Sequence, residues 1–180
     1  MTEEKKAALA AIESRKELIC NVADHIWEYA ELSLQEFKSA VLYCEVLEKE
    51  EFHVEKSISG IETAFSASYG SGRPVIGLLA EYDALPNMSQ KAGETKPCPI
   101  EGKKYGHACG HSALAAGTVG AAIIAKEYLK ETGKTGTVKI FGCPAEETGF
   151  GKSFMVKRGC FEGLDMCFTW HPMDRTTLWG

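Results

Sequence analysis

The first fifty residues carry apolar side chains at helical spacing. Across residues 2–31 they recur every three or four positions with charged residues between them, which predicts one long amphipathic helix. A second pattern of this kind covers residues 33–50. Ser33 is the expected N-cap of that helix, because Glu36 stands three residues later as in a capping box.

The hydrophobic period changes after about residue 60. Apolar or alternating runs predict four strands, at residues 63–69, 74–80, 137–143 and 165–170. Two further helices are expected at 112–132 and 150–158, and the proline- and glycine-containing stretch 86–106 predicts a long loop. Because strands and helices alternate, the pattern favours an α/β fold in which helices cover a mostly parallel sheet.

Composition narrows the class of protein. The chain has 180 residues, of which 44% are apolar and 25% charged, as expected for one globular domain with a core. The formal charge of −5, without a basic stripe, argues against a nucleic-acid partner. No apolar run approaches the roughly 20 residues of a membrane-spanning helix. Seven cysteines without an export signal predict reduced thiols and a cytoplasmic protein.

Polar residues that can bind metals follow the predicted strands. Asp83 comes after the strand at 74–80, Glu146 and Glu147 after that at 137–143, and His171 after the last. The carboxyl ends of parallel strands meet at one edge of a sheet, where ligands bind. We therefore expect these side chains to converge, although Asp83 and His171 taken singly could be turn-forming or structural residues.

A second group of candidates lies in one short segment. His107, Cys109 and His111 alternate, so an extended backbone would project all three side chains to one side. Thiolate and imidazole ligands suit zinc and similar ions. Two alternatives remain open at this point: a buried structural thiol with ordinary loop histidines, or a nucleophilic cysteine activated by a neighbouring histidine.

The paired acids Glu146 and Glu147 also have two interpretations. In an extended segment adjacent side chains diverge, so one carboxylate could bind a metal while the other takes a proton from an activated water. Alternatively, they form a solvated acidic turn or precede a helix whose first turn favours negative charge.

Four motifs in this order resemble a known family. They are Glu-Tyr-Asp-Ala-Leu-Pro at 81–86, His-Ala-Cys-Gly-His at 107–111, Pro-Ala-Glu-Glu at 144–147 and Trp-His-Pro at 170–172. The chain is similar to the metal-dependent amidohydrolases and peptidases that include aminoacylases, hippurate hydrolases and auxin-conjugate hydrolases. The surrounding sequence is most similar to the branch that contains one of the two kinds of chain in aminobenzoyl-glutamate hydrolase.

The resemblance implies a role for each candidate residue. It implies a divalent metal cofactor, usually two ions of zinc or manganese, and cleavage of an amide bond next to a free carboxylate in a small-molecule substrate. Glu146 would be the general base and Asp83 a supporting acid, whereas His107 would lie near the site. The implied metal ligands are Cys109, His111, Glu147 and His171.

The resemblance also implies a larger protein. Residues 1–180 would be the N-terminal part of a catalytic domain with a zinc-peptidase-like three-layer sandwich. An inserted dimerisation domain and the remainder, with a last histidine ligand, would be absent, and the end of the chain at Gly180 without a closing helix fits that expectation. The whole protein would form a homodimer or pair with a related subunit.

Two observations set limits on the expected activity. Ser112 stands where the family often has aspartate or asparagine, which puts the polar support of the ligands in doubt. The competing hypothesis is a catalytically inactive metal-binding or structural fragment of a larger protein. No cation that would bind the substrate carboxylate can be named, because Lys152 and Arg158 are equally well interpreted as surface charges.

Overall fold

The computed structural model describes residues 1–178, so Trp179 and Gly180 lie outside the described residues. The helices are α1 (Glu3–Ser14), α2 (Lys16–Tyr29), α3 (Phe37–Lys49), α4 (His111–Thr132) and α5 (Gly151–Lys157). The strands are β1 (His53–Lys56), β2 (Phe65–Ser71), β3 (Val75–Ala80), β4 (Leu85–Pro86), β5 (Tyr105–Gly106), β6 (Gly136–Gly142) and β7 (Met166–Phe168).

Five of these strands form the central sheet, in the order β1-β2-β6-β3-β7. Strand β3 runs parallel to both β6 and β7, whereas β2 is antiparallel to β1 and β6. Four of the five strands therefore point in one direction, which confirms the prediction of a mostly parallel sheet. The sequence pattern missed β1, because this short edge strand carries mostly exposed residues without apolar alternation.

Helices cover the sheet on both faces. On one face α2, α3 and α4 enclose the larger core, where the rings of Tyr43, Phe65 and Tyr82 pack together. On the other face Met155 of α5 packs with Phe141 and Cys143 in a smaller core. This arrangement is a three-layer sandwich, as the resemblance implies.

The predicted single N-terminal helix is wrong, because the chain breaks at Arg15. The Arg15 backbone has φ −102° and ψ 3°, which ends α1 and begins α2. Its guanidinium reaches two carboxylates on other helices, those of Glu50 at the end of α3 and Glu127 on α4. A change of helix direction at this residue thus accompanies an ion-pair contact that the local pattern does not reveal.

The predicted start of α3 at Ser33 is also wrong. Leu34 has a φ of +63°, a left-handed conformation that a right-handed helix cannot include. The Glu31 carboxylate accepts the backbone N–H groups of Lys38 and Ser39 at 3.0 and 2.9 Å, so it takes the capping role. Ser33 instead donates to a carboxylate of the site described below.

Candidate metal site

Three loops leave the sheet at the same edge, as expected. Ala80 and Gly142 are register partners at the ends of β3 and β6, and the Cys143 N–H donates to the Ala80 carbonyl at 2.8 Å. Asp83 therefore follows β3 beside the loop that carries Glu146 and Glu147 after β6. His171 follows β7 on the other side of β3.

His111 is the centre of the site. It is fully buried and begins α4 directly after Gly110, whose φ of +85° makes the turn into the helix. His111 Nδ1 lies 3.0 Å from both the Asp83 side-chain Oδ1 and the Asp83 carbonyl. Since both are acceptors, Nδ1 carries the hydrogen and Nε2 presents its lone pair. Among the described residues, nothing hydrogen-bonds to this buried Nε2.

Cys109 and His171 form one side of the site. The Cys109 Sγ lies 3.3 Å from His171 Nε2, and the His171 Nδ1–H donates to the carbonyl of Pro172 at 2.9 Å. One donor atom from each of Cys109, His111 and His171 lies within 4.8 Å of the other two. A thiol and two imidazole nitrogens at this spacing can hold a borderline divalent ion.

Glu147 lies beside this group. Its backbone N–H donates to Asp83 Oδ2 at 3.0 Å, and its buried Oε1 lies 3.9 Å from His111 Nδ1 without a hydrogen-bond partner among the described residues. Burial and the negative charge of Glu147 raise the pKa of the Cys109 thiol to about 11. A thiol with this pKa is a poor nucleophile at neutral pH, and its neighbour is His171 rather than His107.

Glu146 lies on the opposite side of the His111 ring from Asp83. Its Oε2 is 3.6 Å from His111 Nε2, and about a third of the side chain (36%) is exposed. The expected extended conformation is wrong: residues 146–149 form a turn after Ala145, whose φ is +57°. The turn directs Glu146 towards Nε2 and Glu147 towards Nδ1, so the two carboxylates diverge by another route.

Glu36 holds this turn from below. Its fully buried carboxylate accepts the Ala145 N–H at 2.8 Å through Oε1 and the Thr63 hydroxyl at 2.9 Å through Oε2. Burial raises the pKa of Glu36 from its usual value. Sequence reasoning treated Glu36 only as a capping residue, because its partner in the turn lies 109 positions away.

Glu81 is a second residue that sequence reasoning missed. It is 6% exposed, and its Oε2 lies 3.2 Å from His111 Nε2 while its Oε1 accepts the Lys152 ammonium at 2.6 Å. Burial opposes ionisation, but the hydrogen bonds from His111 and Lys152 outweigh it and lower the pKa of Glu81. Donor atoms of Glu81, His111 and Glu146 lie within 4.8 Å of one another. The only sequence signal was its position at the end of a buried strand.

The two cations that sequence reasoning left on the surface both have partners. Lys152 pairs with Glu81, and Arg158 donates to the Ser59 carbonyl at 2.5 Å. The first interpretation was therefore wrong for Lys152, since the pair places it at the edge of the site.

His107 does not join the cluster. Residues 108–109 form a turn, so the three side chains of this segment do not share one side as an extended backbone would require. The His107 Nε2–H donates to the Ile26 carbonyl at 2.9 Å, and burial lowers the pKa of His107 to about 4. Ser112 is buried in the first turn of α4, and Asp83 supplies the hydrogen bond to His111.

A comparison with known families decides the relationship of the chain. Residues 77–180 match the sequence profile described as Peptidase family M20/M25/M40. The chain belongs to this family.

Individual relatives agree with the M20 assignment. The chain is 44% identical to one subunit of the p-aminobenzoyl-glutamate hydrolase of Escherichia coli over 90% of its length, and 30% identical to hippurate hydrolase of Campylobacter jejuni over 84%. A crystal structure from Bacillus subtilis, described as a dinuclear metal-binding peptidase from the M20 family, superposes with a TM-score of 0.76 and 26% identity. That superposition covers 89% of this chain and 44% of the other. The matched part spans 34% and 38% of the two curated relatives.

The donor set of this M20 chain fits a divalent cation. Three buried polar atoms of the site lack hydrogen-bond partners among the described residues, namely His111 Nε2, Glu81 Oε2 and Glu147 Oε1. Each such atom costs about 1–3 kcal/mol when left unsatisfied, and an ion bound between them would remove that cost. Although burial opposes it, Asp83 and Glu81 raise the pKa of His111 to about 10, so the surroundings favour positive charge at this point.

Proposed function

We propose that this chain is part of a metal-dependent hydrolase that cleaves the amide bond of an N-acyl amino acid or an aminobenzoyl-glutamate-like substrate. The observation that carries the proposal is the state of His111. Asp83 fixes the ring through Nδ1, and Nε2 opens towards a thiol, a second imidazole and carboxylates. The relatives named above act on substrates of this kind, as their names indicate.

Four residues would hold the metal in this proposal. Cys109, His111 and His171 already present their donor atoms to one another, and the open Oε1 of Glu147 lies next to them. Sulfur, nitrogen and carboxylate oxygen together suit zinc or manganese, and we propose two ions in the complete site. A divalent ion bound there supplies Lewis acidity and lowers the pKa of water.

The protein's own residues handle orientation and proton transfer. Glu146, partly open to solvent and 3.6 Å from His111 Nε2, is placed to take a proton from the attacking water and to return it to the leaving amine. Asp83 keeps His111 in the tautomer that leaves Nε2 open, and it also accepts the N–H of Glu147. The same aspartate therefore orients two of the proposed ligands.

The scope of the chain enters the proposal as well. Because it matches about a third of its relatives' length, we propose that it is the N-terminal part of the catalytic domain. An inserted dimerisation domain, a last histidine ligand and a homodimer or related-subunit partner would belong to the rest. Among residues 1–178, no helix combines the length and apolar composition needed to cross a bilayer. We place the protein in the cytoplasm, which the seven unbridged cysteines support.

Reconstitution of the full-length polypeptide tests this proposal. The protein is stripped with a chelator, reloaded with zinc or manganese, and assayed on a panel of N-acyl amino acids and p-aminobenzoyl-glutamate. We expect hydrolysis that disappears on chelation and returns with metal. Activity that survives chelation but is lost on alkylation of Cys109 would contradict the proposal and favour a cysteine hydrolase. The 180-residue chain, assayed in parallel, shows whether it binds metal without turnover.

A further inference from the structure

We propose that Glu81 is an additional metal ligand, whose Oε2 binds the same divalent ion as His111 Nε2, and that Lys152 positions it. This inference rests on the proposed function only in requiring that an ion bind at His111. Neither residue belongs to the ligand set that the family resemblance implies.

The distance between the two donor atoms supports a shared ion. Two ligand atoms, each about 2.1 Å from one ion, stand about 3.0–3.4 Å apart for coordination angles between octahedral and tetrahedral. The separation of Glu81 Oε2 and His111 Nε2 is 3.2 Å. Both side chains are more than nine-tenths buried, and neither atom has a hydrogen-bond partner among the described residues.

Lys152 fixes which oxygen of Glu81 faces His111. Its ammonium, in the first turn of α5, lies 2.6 Å from Glu81 Oε1, so only Oε2 remains for another partner. A buried carboxylate without a counter-charge is unfavourable, and this ion pair keeps Glu81 ionised next to the proposed metal position. Because Lys152 follows the Glu146–Gly149 turn, the pair also ties the end of β3 to the loop after β6.

Other buried or partly buried glutamates show what a structural role looks like in this molecule. Both oxygens of Glu36 accept hydrogen bonds, from Ala145 and from Thr63. Glu50 uses Oε2 for Lys126 at 2.8 Å and Oε1 for Arg15 at 3.2 Å. Glu81 differs because one oxygen is bound while the other is buried and unsatisfied. A purely structural ion pair does not require that arrangement.

Cobalt titration of the full-length protein tests the assignment. Binding of Co²⁺ is followed by the charge-transfer absorption that thiolate ligation by Cys109 produces, a readout that does not depend on turnover. We expect Glu81→Gln to bind Co²⁺ about 10- to 100-fold more weakly than the wild type, the range seen when groups around a metal are removed. The matched control is Glu50→Gln, which breaks a Lys–Glu pair about 22 Å along α4 from His111 and should leave Co²⁺ affinity unchanged.

A double variant tests the positioning role of Lys152. If Lys152 acts only through Glu81, Lys152→Met changes Co²⁺ affinity in the wild-type background but adds no further change to Glu81→Gln. Lys152→Arg retains the positive charge and should remain closer to the wild type than Lys152→Met. An equal effect of Lys152→Met in both backgrounds would show that Lys152 does not work through Glu81.

The possible results separate this inference from the proposed function. A wild type that fails to bind Co²⁺ overturns both. A wild type that binds Co²⁺ while Glu81→Gln binds it equally well overturns the Glu81 assignment and leaves the proposed function intact. If Glu81→Gln does not fold by circular dichroism, Glu81→Asp replaces it: the shorter carboxylate keeps the charge but withdraws the ligand atom, so we again expect weaker binding.

Discussion

Two buried glutamates at the same end of the sheet have different surroundings. Glu36 reaches up from the start of α3 and satisfies both carboxylate oxygens with protein donors. Glu81 follows β3 and satisfies only one, leaving the other beside an equally unpaired imidazole nitrogen. Burial alone therefore does not distinguish a structural carboxylate from one that faces a ligand. The hydrogen-bond state of each oxygen does.

The largest effect should come from Glu146, the acid that lies between buried and exposed surroundings. Glu146→Ala removes the proposed proton carrier, and general acid–base groups contribute about 10²- to 10⁴-fold to rate. We expect kcat of the full-length enzyme to fall by that factor while metal content, measured by atomic emission, stays the same. Normal hydrolysis by the variant would show that Glu146 is not the base.

Asp83 should give the next largest effect, through metal affinity rather than turnover alone. Asp83→Asn places an amide N–H₂ where Oδ2 now accepts the Ser33 hydroxyl at 2.8 Å and the Glu147 N–H at 3.0 Å. Loss of the charge behind His111 should weaken metal binding about 10- to 100-fold, as measured by competition with a chromophoric chelator. Asp24→Asn, on the exposed side of α2, is the control and should bind metal normally.

Glu36 should affect stability and leave the metal largely alone. Glu36→Ala leaves the Ala145 N–H without its acceptor in a buried turn, which costs about 1–3 kcal/mol. Chemical denaturation should show this loss in the free energy of unfolding, whereas metal affinity of the folded protein should change less than in Glu81→Gln. The opposite ranking would remove the distinction between the two glutamates.

His107 should give the smallest effect. His107→Phe removes one hydrogen bond to the Ile26 carbonyl, a contribution of about 0.5–1.5 kcal/mol. The melting temperature should fall slightly while metal stoichiometry stays unchanged, because His107 is turned away from the cluster. A loss of bound metal would instead identify His107 as a ligand.

The sequence predicted most of the framework of the fold because that framework is encoded locally. Continuous apolar runs marked β3 and β6, and alanine-rich periodicity marked α4 to within one residue at its start. The convergence of Asp83, Glu147 and His171 followed from a general property of parallel sheets. These features need only a short window of sequence and one topological rule.

The rest depended on contacts between distant residues. The break at Arg15 coincides with carboxylates on other helices, and the start of α3 depends on Leu34 adopting a left-handed conformation. Glu36 and Glu81 look like ordinary acids until Ala145 and Lys152 are placed beside them. No local pattern reports whether both oxygens of a buried carboxylate are occupied.

The 62-residue separation of Cys109 and His171 has a consequence for the fold itself. Strand β7 pairs with β3 over only three residues, and its own side chains are exposed. A cation joining Cys109 and His171 would close a long loop of the polypeptide, restricting the unfolded chain in the way a disulfide bridge does. Metal occupancy would then strengthen the attachment of the outer strand to the sheet, in addition to supplying reactivity.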